Sequence, residues 1–98
     1  MTIHQTVEEK KLTVALEGRL DTTTAPELEK ALGEALNDVT ELVFDFEKLA
    51  YISSAGLRVL LGAQKIMNTK GTMKVTNVGE IINEIFEVTG FTDILTIE

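Results

Sequence analysis

Residues 42–61, LVFDFEKLAYISSAGLRVLL, contain the clearest indication of the fold. The first five residues form a nearly unbroken apolar run of strand length, which is typical of a central strand with both faces covered. A loop is predicted over residues 47–53. From Ser54 the pattern becomes that of an apolar-rich helix, which continues to about Asn68 and closes at Gly71. The stretch therefore predicts a strand, a loop and a helix in succession.

The flanking segments extend this unit into a sheet. Residues 72–76, TMKVT, alternate polar and apolar side chains, so residues 42–76 predict a right-handed crossover between two parallel strands. Upstream, residues 3–7 and 12–16 alternate in the same way on either side of the polar segment EEKK, which indicates a hairpin. A hairpin followed by a parallel crossover predicts a mixed sheet.

Two more helices and a last strand complete the expected fold. The tetrapeptide TAPE at residues 24–27 has the form of a capping box with proline in the first turn, so a helix begins there. Residues 81–88 are apolar at helical spacing and stop at Gly90, with Phe91 placed for a C-terminal hydrophobic contact. Residues 94–97 predict the strand. We expect an α/β fold in which one mixed β-sheet packs against helices, formed by a single domain over residues 1–98.

Composition restricts the classes of function. With 98 residues, 44% of them hydrophobic and 26% charged, the chain can bury one core but has no room for a deep substrate cleft. The net charge of -7 repels phosphate backbones, so we expect no nucleic-acid partner. No apolar run approaches the ~20 residues that a bilayer span needs, and no signal peptide is recognisable, so we expect a cytoplasmic protein without direct membrane insertion.

The sequence also lacks the motifs of an enzyme. Ser54 lies at a strand-to-helix turn, but the nucleophile elbow requires glycine two residues before and after the serine, and Ile52 stands at the first of these positions. The only histidine, His4, lies in the first predicted strand, where an exposed or edge position is expected. The acidic residues are dispersed, cysteine is absent and no phosphate-binding loop is present. We expect no catalytic residues, no metal and no cofactor.

One candidate site remains, where Ser53 and Ser54 precede the helix of residues 54–68. In one interpretation a serine is simply the N-cap, whose oxygen accepts a hydrogen bond from a first-turn amide. In the other, a serine is a phosphorylation site, because the free amides and the positive dipole end of a helix accommodate the charge of a phosphate. The residues alone leave both interpretations open.

With these segments in view, the sequence resembles the STAS domains of anti-sigma factor antagonists. The resemblance extends over nearly the whole chain, through GRLD at residues 18–21, the strand of residues 43–46, residues 51–61 and IFEVTGF at residues 85–91. The family pattern at the helix start is Asp-Ser-Ser/Thr-Gly-Leu. Alignment on its glycine and leucine places the phosphoacceptor at Ser54, with Ser53 where the pattern has Asp.

The resemblance implies a function and a partner. In bacterial members the unphosphorylated domain binds an anti-sigma factor that is also a serine kinase and so frees the sigma factor, and phosphorylation reverses the binding. It implies that partner here, with a serine phosphatase to restore the active form. The implied partner-binding residues are Asp21, Thr22, Ser53, Ser54, Ala55 and Gly56. For Asp21, a turn residue that bonds nearby backbone is an equal alternative. For the whole protein, the alternative is an unphosphorylated subunit or scaffold of a transporter or stress-signalling complex.

Overall fold

The fold is built on one four-stranded mixed sheet, seen in a computed structural model that describes residues 1–98. The strands lie side by side in chain order, and the predicted hairpin and parallel crossover are both confirmed: the first pair is antiparallel and the other two pairs are parallel. The strands are β1 (Thr2–Glu8), β2 (Lys11–Leu20), β3 (Glu41–Ile52) and β4 (Thr72–Thr76). The helices are α1 (Ala25–Ala35), α2 (Ser54–Asn68) and α3 (Glu80–Thr89), with short 3-10 turns at Leu36–Asp38 and Phe91–Asp93.

The core lies on one face of the sheet, between the strands and the helices. Val14 of β2, Phe44 of β3 and Val75 of β4 are fully buried and stand in register across this face. The expectation that both faces of the central strand are covered is wrong. Val43 is also buried, but it lies on the other face between Thr13 and Lys74 of the adjacent strands, outside the main core cluster. Helices cover one face only, because Thr and charged residues alternate with the core residues along the strands.

β3 is longer than the sequence predicts. Residues 47–52, taken as most of a loop, continue the strand, and the pairing with β2 shifts register twice, after Ala15 and after Gly18. Each shift inserts one extra residue into β3, so its buried residues step from Phe46 to Leu49 to Ile52 instead of alternating. The two bulges carry β3 to the start of α2.

The C-terminal ends of α2 and α3 and the last segment of the chain confirm some expectations and correct others. α3 ends as predicted at Gly90, whose φ of 81° is left-handed, and the ring of Phe91 lies 6.4 Å from that of Phe86. α2 ends at Asn68 as predicted, but its C-cap is Thr69 and not Gly71. The predicted last strand over residues 94–97 is wrong: only a single parallel bridge forms there, between Val75 and Ile97.

Candidate partner-binding site

The residues proposed from the sequence meet where β2 and β3 end and α2 begins. The Ser53 amide donates a hydrogen bond to the Leu20 carbonyl at 2.9 Å, which ties the end of β2 to the start of α2. Thr22, on the turn after β2, and Ala55, in the first turn of α2, line one shallow depression of about 270 Å³. The structure therefore brings the two predicted segments, residues 21–22 and 53–56, to one edge of the molecule.

The two serines have different roles at the start of α2. Ser53 is the N-cap: its backbone is extended (φ -98°, ψ 175°), and its Oγ accepts from the Gly56 amide at 3.4 Å. Ser54 is the first helical residue, is exposed, and its hydroxyl has no hydrogen-bond partner in the protein. The N-cap interpretation therefore applies to Ser53. The Ser54 hydroxyl is not needed for the cap and is accessible to another molecule.

Gly56 fixes how closely α2 approaches the sheet. A Cβ at this position would lie 2.7 Å from Leu20 Cγ and 2.8 Å from Ile52 Cγ1, both in the core. Glycine is needed here for close packing, and it seats the first turn of the helix against the ends of β2 and β3. Because Gly56 is buried, its contribution to the site is to position Ser54 and Ala55.

Asp21 organises the turn that leads from β2 into α1. Its Oδ1 accepts hydrogen bonds from the Thr23 amide at 3.0 Å and from the Thr24 amide at 3.1 Å. These bonds, the one from the Thr24 amide above all, hold the pKa of the Asp21 carboxyl below its ordinary value, and the Arg19 guanidinium acts in the same direction. The turn bonds expected of Asp21 are thus confirmed, and its role in partner binding stays a prediction. Its other oxygen, Oδ2, lies 3.8 Å from Arg19 Nε.

The same bonds correct the expected capping box of α1. Thr24 is the N-cap residue as predicted, but its side chain makes no capping bond to the helix. The Thr24 hydroxyl instead donates to the Arg19 carbonyl at 2.8 Å and accepts from the Asp21 amide at 2.9 Å. The threonine bonds backward to β2, and the Asp21 carboxylate binds the amides at the helix entry. This reciprocal bonding makes the turn beside Ser53 a fixed structure.

Two arginines that sequence reasoning missed lie at this end of the molecule. Arg19 stacks on the ring of Tyr51, with its Cζ 4.4 Å from the ring centroid. Arg58 lies four residues after Ser54 on α2, is exposed, and lines the same depression as Thr22 and Ala55. No carboxylate lies within ion-pair distance of Arg58. The spacing of four residues on a helix was the signal that could have identified it.

The remaining ionisable side chains do not form a second candidate site. His4 is exposed on edge strand β1, as expected, and its Nε2 lies 2.5 Å from Glu17 Oε2 of the neighbouring strand. No group of three or more His, Asp or Glu side chains is arranged to hold a metal ion. No helix has the length and apolar character to span a membrane.

Comparison with known proteins gives the family. The sequence profile described as the STAS domain matches residues 1–98. The anti-sigma-B factor antagonist of Staphylococcus aureus is 31% identical over 97 residues, which covers 97% of this chain and 90% of that protein.

Solved structures reproduce the fold. An anti-sigma factor antagonist from Mycobacterium paratuberculosis superposes with a TM-score of 0.89 at 24% identity, covering 98% of this chain and 83% of that one. The Bacillus cell fate determinant SpoIIAA, in its phosphorylated form, superposes with a TM-score of 0.77 at 19% identity, covering 99% of this chain and 91% of that one. At these identities the likeness concerns the fold alone, and it agrees with the mixed sheet and one-sided helical layer described above.

Proposed function

The chain belongs to the STAS domain family, and we propose that it is an anti-sigma factor antagonist switched by phosphorylation of Ser54. In its unmodified form it binds an anti-sigma factor that is also a serine kinase, and so releases a sigma factor. Phosphorylation by that kinase ends the binding, and a serine phosphatase restores it. The protein acts in the cytoplasm, as a binding partner and not as an enzyme.

One observation carries this proposal: Ser53 and Ser54 have different roles at the start of α2. Ser53 supplies the capping oxygen, so Ser54 is exposed with an unengaged hydroxyl at the first position of a helix. A kinase must reach that hydroxyl without unfolding the helix, and the cap on the preceding residue makes this possible. The relative from Staphylococcus aureus, an anti-sigma-B factor antagonist, supports the same class of function.

The partner-binding surface of the proposal is the edge around Ser54. Asp21 and Thr22 stand on the turn beside it, and Ser53 and Ala55 are half-buried next to it. A phosphate on Ser54 places about -1.5 to -2 charges in the middle of this surface at neutral pH. The first amides of a helix tolerate such a group, so the domain stays folded. A docked partner would have to strip its water, which costs several kcal/mol.

The test compares unmodified and phosphorylated protein as bait. The chain, a Ser54→Ala variant and the chain with phosphoserine installed at position 54 are each immobilised and exposed to cytoplasm of the source cell. We expect the first two to retain an anti-sigma factor kinase, identified by mass spectrometry. The phosphorylated chain should bind it at least tenfold more weakly, since a tenfold change requires only about 1.4 kcal/mol.

The purified kinase then decides the acceptor. With ATP it should add one phosphate to the chain and to a Ser53→Ala variant, and none to Ser54→Ala. Phosphate on Ser53 would move the acceptor by one residue. Partner binding without modification of either serine would overturn the switch and assign a constitutive module of a transporter or signalling complex.

A further inference from the structure

We propose that Arg58 is the internal counterion of phosphorylated Ser54, an inference that rests on the proposed function and names a residue that regulates its site. The observation behind it is an exposed, unpaired guanidinium one helical turn after an exposed, unbonded serine hydroxyl.

The geometry of α2 brings the two side chains together. Residues 54 and 58 lie in one continuous helix, Ser54–Asn68, so they share a face with their Cβ atoms about 5–6 Å apart. Long side chains on a helix lean toward its N-terminus, which directs the Arg58 side chain back over the turn that holds Ser54. An arginine reaches a phosphate oxygen across this separation and can donate two parallel hydrogen bonds to it.

The order of the charges is also the favourable one. An anion four residues before a cation stabilises a helix better than the reverse order, because each then lies nearer the helix end of opposite partial charge. A phosphate on Ser54 would be at the first helical position, where the amide dipoles add to the attraction of Arg58. No acidic residue lies in the first turn of α2 to compete for these amides.

Arg58 is available for this role in the unmodified protein. Glu29 of α1 lines the same depression, yet no ion pair joins it to Arg58. The other arginine at this end, Arg19, is engaged by the Tyr51 ring and lies 3.8 Å from Asp21. In a chain of net charge -7, Arg58 is therefore the cation free to meet a new dianion at the site.

The consequence is a phosphate held by the protein's own helix. Arg58 would anchor the group against α2 and favour its dianionic form, so that the modified protein presents a fixed negative charge to a docking partner. The same pairing removes the one unpaired cation from the surface that binds the partner. Modification then changes two charges of the site together, although only one residue is chemically altered.

The experiment measures the phosphate directly and needs no kinase. Phosphoserine is installed at position 54 during translation, and its second pKa is followed by ³¹P NMR in the parent chain, in Arg58→Gln and in Lys65→Gln. Lys65 is an exposed cation in the last turn of the same helix and is the matched control. We expect Arg58→Gln to raise the phosphate pKa by roughly half a unit, while Lys65→Gln leaves it unchanged.

The arginine supplies the second readout. In the parent chain, the Arg58 Nε–H resonance should shift on phosphorylation and be protected from exchange with water. Equal phosphate titration in the parent and Arg58→Gln chains, with an unshifted Arg58 resonance, would overturn the pairing. Because the phosphoserine is built in, this result does not depend on whether a kinase modifies Ser54. Failure of the pairing and failure of the proposed function are therefore separate results.

Discussion

Ser53 and Ser54 are adjacent and chemically identical, yet the stability of the fold should depend on the hydroxyl of Ser53 and not on that of Ser54. Ser53→Ala removes the capping oxygen of α2 and should lower the free energy of unfolding by about 0.5–2 kcal/mol. Ser54→Ala removes an unbonded hydroxyl and should change it by less than about 0.5 kcal/mol. Urea titration of the two variants measures both values. An equal loss in the two would show that the cap is shared and the Ser54 hydroxyl is not free.

Asp21 makes the stability of the domain depend on pH in the acidic range. Its folded pKa lies below the ordinary value of 3.8, so its carboxylate stabilises the fold above that value. The stabilisation is lost as the pH falls through the lowered folded pKa. We expect Asp21→Asn to lower the melting temperature at pH 7 and the gap from the parent to close toward pH 2.

The control for Asp21 is the same chemical change at Asp93, an exposed acid whose carboxylate receives no hydrogen bond within the protein. Asp93→Asn should leave the melting temperature at pH 7 unchanged, because it removes no bond that holds the fold. If the difference in melting temperature between Asp21→Asn and the parent is constant from pH 7 to pH 2, the turn bonds do not depend on the charged form of the Asp21 carboxylate.

At the scale of the element, the position of α2 depends on one glycine. Gly56→Ala would drive a Cβ to within 2.7 Å of Leu20 Cγ and 2.8 Å of Ile52 Cγ1, and overpacking of this kind costs about 1–3 kcal/mol. Gly62→Ala, in the same helix, meets nothing within 4 Å and should stabilise by about 0.5–1 kcal/mol through helix propensity. Chemical denaturation of both variants measures the two changes. Stabilisation by both would show that α2 can move away from the sheet at no cost.

The elements also show what the sequence reveals and what it conceals. Residues 72–76 and the helix end at Gly90 were predicted correctly because alternation and a left-handed cap are local signals. The extension of β3 to Ile52 was missed because its two bulges change the spacing of buried residues from two to three, which removes the strand signal. Val43 led to the prediction that both faces of the strand are covered, because it is apolar. It is buried by the side chains of the adjacent strands, and in sequence such a residue looks the same as one covered by a helix.

Some features of the candidate site could be predicted from the sequence, and others could not. The place of Ser54 at the start of α2 and the turn bonds of Asp21 were predictable, because these residues occupy positions with a helix-start pattern or a turn preference. The assignment of the cap to Ser53 depends on a backbone angle at one residue, which sequence does not specify. The packing reason for Gly56 depends on Leu20, 36 positions earlier, and so only the folded chain shows it.

At the scale of the whole molecule, the one-sided helical layer leaves the edges of the sheet to be protected separately. β4 is an edge strand, and the last residues cover part of it: the Val75 amide donates to the Thr96 carbonyl, and the Glu98 amide donates to the Val75 carbonyl, both at 2.9 Å. A single bridge at Ile97 replaces the predicted strand because the segment bonds to β4 around Val75 alone. Such cover reduces the unpaired backbone that would otherwise attract another chain.

Leu95 anchors this segment, since its side chain is only 6% exposed and belongs to the main core cluster. Leu95→Ala should therefore lower the free energy of unfolding by about 2–5 kcal/mol and also release the segment locally. Amide hydrogen exchange at Val75 and Glu98 should accelerate more than exchange at the interior of β3. Ile94→Ala is the control, because Ile94 is 44% exposed and should cost well under half as much, with exchange at Val75 unchanged. Slow exchange at Val75 in Leu95→Ala would mean that the bridge holds without its anchor, and the two backbone bonds alone would then close this edge of the sheet.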